Sequence, residues 1–463
     1  MPTQSQVGKP GLLRQLGFVS ATALVVSNMV GTGIFGTTGF MARDLGSAWL
    51  ILAEWVVGAL FALAGALTYS ELGINFPSSG GEYVYLTRAF GPTWGFMTGW
   101  VSFFAGFSAP IALAALTFSD YLGYFFPSLK GGHAAYSIGS GALSLTIGGG
   151  QLAACGLVLA FTLLNCIGVS RVAKVQNVLT GTKLVVIIAF IGFGLLTGSG
   201  SWEHFSTPAV RTATTSLPVQ FVISLLWVMF GYSGWNAATY VAEELRRPER
   251  TLPAALAVGT ALVTALFLGL NVVFIYSTPL ESMKGVIAVG SLAASNLFGP
   301  GIAGLFSALM ALSIMSTVNA EVTIGPRVYY AMAKNRAFFA SAATVHPRWH
   351  TPVVAILSQG ACAMLMTFTP FPQLLLYIGF SLTFFTVMSV ASVFVFRRRP
   401  NWQKLRPVSF CYPLIPVAYI LVGVCMIAYG LIWQPVASLT ALATIGLGAA
   451  VYHFRIRPHG VNS

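Results

Sequence analysis

Long apolar runs leave this chain few ways to fold. They cover 15–42, 47–73, 92–126, 151–169, 172–197, 217–242, 254–277, 301–333, 352–369, 372–396, 413–432 and 435–454, and most reach the length of about 20 residues that a bilayer core demands of a helix. In lipid every backbone amide and carbonyl needs a partner within the structure, so such runs are read as helices. Of the 463 residues 56% are hydrophobic and 8% charged, against about 25% charged in soluble domains. The expectation is an all-α integral membrane protein with twelve transmembrane helices. A soluble enzyme is excluded by this composition.

Basic residues orient the spans. With the N-terminus inside, 19 Lys and Arg fall on the cytoplasmic side and only Arg43, Lys130, Arg211 and Lys284 outside, with Lys183 within the membrane. The reading places both tails, 1–14 and 455–463, in the cytoplasm and the chain in the plasma (inner) membrane of a bacterial-type cell. Lys9 and Arg14 precede an apolar run that passes Phe35 with no small-residue cleavage site, so the first run is taken as a retained span. The net charge of +13 follows membrane sides and forms no basic module, so no nucleic-acid partner is expected. The loop 127–150, rich in Gly, Ser and Ala, reads as flexible. Cys155, Cys166, Cys362, Cys411 and Cys425 lack metal-type spacing, Pro347 opposes a helix that would bring His346 and His350 together, and no metal site is expected.

Two of the runs are interrupted. Gly31 and Gly33 flank Thr32 in the first, and Phe230-Gly231-Tyr232-Ser233-Gly234-Trp235-Asn236 breaks the sixth. Glycine is costly inside a helix, and paired breaks in corresponding spans point to half-helices that face a shared polar site. An unwound first span presents the amides of Thr32 and Gly33 at a helix start, which suits a carboxylate. The carbonyls near Met29, with those of Phe230 and Ser233, suit an ammonium. Phe230 and Trp235 are large enough to close over a ligand, and Asn236 offers an amide. Tight packing of small residues is the structural alternative for the first break, and aromatic packing for the second.

Lys183 lies roughly 13 Å into the fifth span at about 1.5 Å per residue. No carboxylate stands three or four residues away on its own helix. Its partner is therefore expected on another helix, plausible acceptors being the carbonyls of the broken first span. Glu54 in the second span and Glu321 in the eighth are the other ionisable groups at membrane depth, each a proton-site candidate or a structural hydrogen-bonded carboxyl. No nucleophile–base cluster shares one membrane depth, so no catalytic residues are assigned and no enzyme activity is expected. No cofactor motif is present.

The stretches Gly31–Phe35 (GTGIF), Tyr69–Gly73 (YSELG), Phe76–Tyr83 (FPSSGGEY), Val175–Leu184 (VQNVLTGTKL), Phe230–Asn236 (FGYSGWN), Glu243-Glu244, Arg247–Pro253 (RPERTLP) and Gly325–Tyr330 (GPRVYY) occur in one order along the chain. In that order the chain resembles the amino acid–polyamine–organocation (APC) superfamily, and within it bacterial members of the L-type amino acid transporter (LAT) group. The resemblance implies a LeuT-type fold of two inverted five-helix repeats, 15–197 and 217–396, with two extra C-terminal helices at 413–454. It implies a substrate carboxylate on Thr32 and Gly33, an amine on carbonyls near Met29, Phe230 and Ser233, and Phe230 as the gating aromatic. Lys183 would stand where sodium binds in sodium-coupled relatives, so sodium independence is implied. Glu71 and 76–83 would lie at the inner gate. The loop 127–150 lacks the cysteine that animal LAT proteins use to bond a glycoprotein partner, so no disulfide-linked heavy subunit is expected, and Glu54 departs from a span that is usually apolar in the group.

The function expected from this resemblance is sodium-independent exchange of neutral L-amino acids. Proton symport, cationic amino acid or polyamine transport, and amino acid sensing without transport stay open as alternatives.

Overall fold

The computed structural model describes residues 16–77, 80–130, 134–138, 144–167, 169–349 and 351–457. The tails at 1–14 and 458–463 lie outside the described residues. Among the described residues the architecture is helical, apart from one short ribbon. Among the described residues nine helices are long and apolar enough to cross a bilayer, from Phe18–Gly36 to Pro435–Ile456. Shorter apolar helices include Leu217–Gly231 and Val353–Met366. The sixth span counts as short because its break stops the α-helix at Gly231.

Long unbroken helices match the apolar runs closely. Ala48–Asn75, Pro248–Ser277, Phe371–Phe396 and Leu414–Trp433 follow the apolar runs within a few residues. The third span has a change of pitch: Pro92–Val101 passes into a π-helical stretch, Ser102–Ser108, before Ala109–Leu122. Pro110 has no N–H to offer the carbonyl of Gly106, which removes one α-helical bond and favours the wider turn.

The packing sorts the spans into two groups. Spans one, two, six and seven contact one another, with the helix Phe18–Met29 and span two both lying on span seven. Spans three, four, eight and nine form the second group, with span three lying on span eight. Span ten packs on the first half of span six and on span eleven. The four basic residues assigned to the outside share one face. Arg211 Nε donates to Asp44 O at 2.8 Å, Thr212 N to Arg43 O at 3.1 Å and Lys284 Nζ to Val210 O at 2.9 Å. Lys130 lines a cavity on that face beside Gly285. That face is called outer below, and the opposite one inner.

Loop structure exceeds what the sequence reading anticipated. A helix at Gly81–Phe90 joins spans two and three on the inner face. Leu280–Met283 and Val289–Phe298 cover the outer face between spans seven and eight. The loop 127–150, read as flexible, carries an antiparallel ribbon in which Ala134–Ile138 pairs with Leu145–Gly148. Tyr136, Ile138, Leu145 and Ile147 alternate with small and polar residues there, so a two-residue period was present within the Gly/Ser-rich background.

Candidate functional site

The first break opens after Met29. Val30 leaves helical geometry (φ −73°, ψ 86°), Gly31 is extended, and helix resumes at Thr32. Amides at a helix start have no acceptor within their own helix, so Thr32 and Gly33 present N–H groups at this point. Thr37 Oγ1 donates to Gly33 O at 2.6 Å and fixes the short turn from its other end.

The second break ends Leu217–Gly231. Tyr232–Asn236 form a turn, and a 3₁₀ segment, Ala237–Glu244, follows. Gly234 has φ +90°, a conformation that favours glycine. The two breaks cross in contact. A β-carbon on Gly33 would fall 2.9 Å from Gly231 N and closer still to its Cα, and one on Gly234 would fall 3.0 Å from the backbone carbon of Asn28. Trp55 of span two closes behind Gly231, where a β-carbon would meet its ring at 2.7 Å.

Lys183 is buried, with 2% of its surface exposed. Its Nζ donates to Val30 O at 2.6 Å and to Thr317 Oγ1 at 3.4 Å. Thr317 of span eight lies 3.6 Å from the position a β-carbon on Gly31 would take. Spans one, five and eight therefore meet at the unwound segment, with the ammonium on a carbonyl that helix formation left open. Glu321 stands one turn beyond Thr317 on span eight. It is close enough to interact electrostatically with Lys183, and one of its carboxylate oxygens is buried with no hydrogen-bond partner among the described residues. Glu54 is fully buried, and neither of its oxygens has a partner among the described residues. Asp44 is its electrostatic neighbour.

The residues singled out from the sequence divide here. Met29, Thr32, Gly33 and Phe230 are buried around the crossing, and Ser233 N–H donates to Phe230 O at 3.0 Å. Trp235 and Asn236 were expected at the same site; in the structure their side chains engage groups of span two and of the helix Gly81–Phe90. Trp235 lies edge-on to Tyr69 at 4.7 Å and against Gly65 of span two. Asn236 Nδ2 donates to Glu82 Oε1 at 2.6 Å and contacts Tyr240 OH at 3.3 Å. The left-handed Gly234 and the tighter 3₁₀ turn change the angular phase beyond Gly231 and set the direction of these two side chains.

Rings close the outer side. Phe40 stacks on Phe371 at 5.6 Å and lies edge-on to Trp227 at 5.9 Å. Gly36 abuts Phe371, whose ring would stand 2.8 Å from a β-carbon there, with Thr117 beyond. Above these rings lies a cavity of about 790 Å³, lined by Asp120, Lys130, Gln151 and the segment 285–288 among others. On the inner side the helix Phe18–Met29 packs chiefly on span seven and the 3₁₀ part of span six, and Asn28 remains exposed.

The inner face carries two carboxylates that sequence reasoning placed only as a gate region. Glu71 is fully buried and takes Arg397 Nε at 2.7 Å, Arg397 Nη2 at 2.6 Å, Trp402 Nε1 at 2.8 Å and Leu405 N at 3.1 Å. Glu82 gathers Asn236, Tyr240 and Tyr69. Their place in the YSELG and GGEY stretches was the available signal; their distant partners, on span six and in the segment after span ten, had none. No cluster of three or more His, Cys, Asp or Glu able to hold a metal occurs among the described residues.

A family model described as an amino acid permease matches residues 16–446. The serine/threonine exchanger SteT of Bacillus subtilis (strain 168) is 32% identical over 414 residues, 88% of this chain and 89% of the relative. The human large neutral amino acids transporter small subunit 2 is 29% identical, over 96% of this chain and 81% of its own length. The human Asc-type amino acid transporter 1 is 28% identical, over 95% and 82%.

Proposed function

As the chain belongs to the amino acid permease family, as a LAT-like member of the amino acid–polyamine–organocation superfamily, we propose that it exchanges neutral L-amino acids across the plasma membrane without sodium, by alternating access. The observation that carries this reading is the ammonium of Lys183 on Val30 O at the unwound segment. A tethered cation satisfies the carbonyl end of the break, leaving no need for a dissociable ion there. The amides of Thr32 and Gly33 take the substrate carboxylate, and carbonyls near Met29, Phe230 and Ser233 take the amine. Phe230 closes the path over them.

In this reading 15–197 and 217–396 are inverted repeats of a twelve-span, LeuT-type fold, with 413–454 appended and both tails cytoplasmic. The two packing groups supply the moving parts: spans one, two, six and seven rock against three, four, eight and nine. The rings of Phe40, Phe371 and Trp227 close the outer side in this conformation, and Asn28 is reached from the inner side. The preference for neutral substrates follows the names of the relatives. The absence of a cysteine from 127–150 argues against a disulfide-linked heavy subunit.

A second reading, proton-coupled symport, is favoured by Glu54 and Glu321, whose buried oxygens lack partners among the described residues. Uptake of radiolabelled L-serine, L-leucine, L-arginine and putrescine into proteoliposomes decides between them. Uptake of neutral amino acids only into preloaded vesicles is the expected result. Uptake into empty vesicles driven by an inward proton gradient would establish the second reading. Preference for arginine or putrescine would overturn the neutral assignment, and saturable binding with no uptake would leave a sensor.

A further inference from the structure

The helix Gly81–Phe90 begins against the ring of Tyr240: a β-carbon on Gly81, whose φ is +47°, would stand 2.7 Å from Tyr240 Cδ1. That approach delivers the Glu82 carboxylate to span six. Oε1 accepts from Asn236 Nδ2 at 2.6 Å and from Tyr69 OH at 3.2 Å, and Oε2 accepts from Tyr240 OH. All three donors are uncharged, whereas Glu71 nearby is held by a guanidinium. Only five residues separate Phe230 from Asn236, so the lower end of the break is tied to Glu82 while its upper end forms the candidate site.

We propose that Glu82 is a positioning residue that anchors the inner half of the broken sixth span to the helix Gly81–Phe90 and to span two. Its carboxylate sets where the 3₁₀ segment lies, and through it the geometry of the break. This role goes beyond the transport reading and does not depend on it.

Protonation modulates the anchor. Burial raises the Glu82 carboxyl above the usual carboxylate range, and the bonds from Tyr240, Tyr69 and Asn236 oppose that rise in part. A proton is therefore held more tightly in the gathered arrangement than by a hydrated carboxyl. Falling pH favours the anchored state, and rising pH through the raised range works against it. The titratable groups facing Glu82 are Tyr69 of span two, Tyr85 of its own helix, Tyr240 of span six and Tyr419 of span eleven. No cationic side chain contacts it among the described residues.

Hydrogen–deuterium exchange of the full chain in lipid nanodiscs, without substrate and corrected for intrinsic rates, tests the anchor. In Glu82→Ala, amides of 232–244 should exchange about tenfold faster, the scale of one lost hydrogen bond, while 248–277 stays as in the wild type. Glu82→Gln keeps an acceptor for Tyr240 and cannot titrate. It should retain protection and lose the wild type's dependence on pH above the usual carboxylate range. Unchanged protection in Glu82→Ala, or an undiminished pH dependence in Glu82→Gln, would overturn the proposal. If Glu82→Ala loses protection along the whole chain, Asn236→Ala decides: faster exchange confined to 232–244 supports the anchor, and none refutes it.

Discussion

Glu71 and Arg397, 326 positions apart, form a two-point ion pair in which the carboxylate is fully buried and the guanidinium also lies over the Tyr412 ring at 4.0 Å. With Trp402 and Leu405 completing the shell of Glu71, the linker between spans ten and eleven is fastened to the inner end of span two. Arg397→Ala strands a buried charge and should destabilise the protein by about 3–5 kcal/mol. Thermal unfolding in detergent measures this. The double variant Glu71→Leu with Arg397→Leu should lose less than either single change, since no charge is left alone.

The glycines of the first break are not equivalent. Gly33→Ala drives a methyl group into the backbone of Gly231, so transport should be abolished while far-ultraviolet circular dichroism stays helical. Gly31→Ala meets Thr317 at 3.6 Å in an extended backbone that any residue adopts, and should keep most of its uptake. Loss of both activities alike would contradict the crossing geometry.

Removing the Lys183 ammonium leaves Val30 O without its donor inside the bilayer. Lys183→Ala should cut exchange at least about tenfold, the scale of a buried charged hydrogen bond. The comparison is the initial rate in preloaded proteoliposomes, at matched reconstitution, with and without sodium. Sodium-dependent rescue in the variant would show that the ammonium stands in for a dissociable cation.

Phe371 both stacks on Phe40 and abuts Gly36. Phe371→Ala should open the outer seal and let preloaded substrate leak into substrate-free medium. It should also cost about 3–5 kcal/mol of stability, as for other buried phenylalanines. Radiolabel efflux and thermal unfolding report the two effects separately.

Phe230→Ala should abolish uptake and spare the fold, because its neighbours Leu226, Trp227 and Val228 keep the helix buried on span ten and span two. Uptake at the wild-type rate would remove Phe230 from the gating role.

The spans were legible because bilayer length and backbone satisfaction act on each segment alone: 47–73 became Ala48–Asn75 and 372–396 became Phe371–Phe396. The breaks were legible because glycines recur at corresponding places in spans one and six, whereas Gly192/Gly194 and Gly446/Gly448 stay helical, so a glycine pair alone does not mark a break. Beyond Gly231 the partners of Trp235 and Asn236 were not legible, since their position depends on a left-handed residue and a change of helix type that no periodicity announces. Pairings between distant segments were illegible for a different reason. Nothing local in YSELG names Arg397, and nothing in GGEY names Asn236, because each partner is chosen by the packing of spans far apart in sequence. Thr317 was missed likewise, as a hydroxyl on an apolar helix looks ordinary until a lysine is aimed at it.

The Gly33–Gly231 crossing has a kinetic consequence. Side chains that interdigitate must leave one rotamer well and enter another whenever the surfaces carrying them shift. At this crossing the facing surfaces are bare main chain. Small relative rotations there meet no torsional barriers, so the two half-helices behave as a bearing with no teeth, and resistance to motion must come from the contacts at its rim.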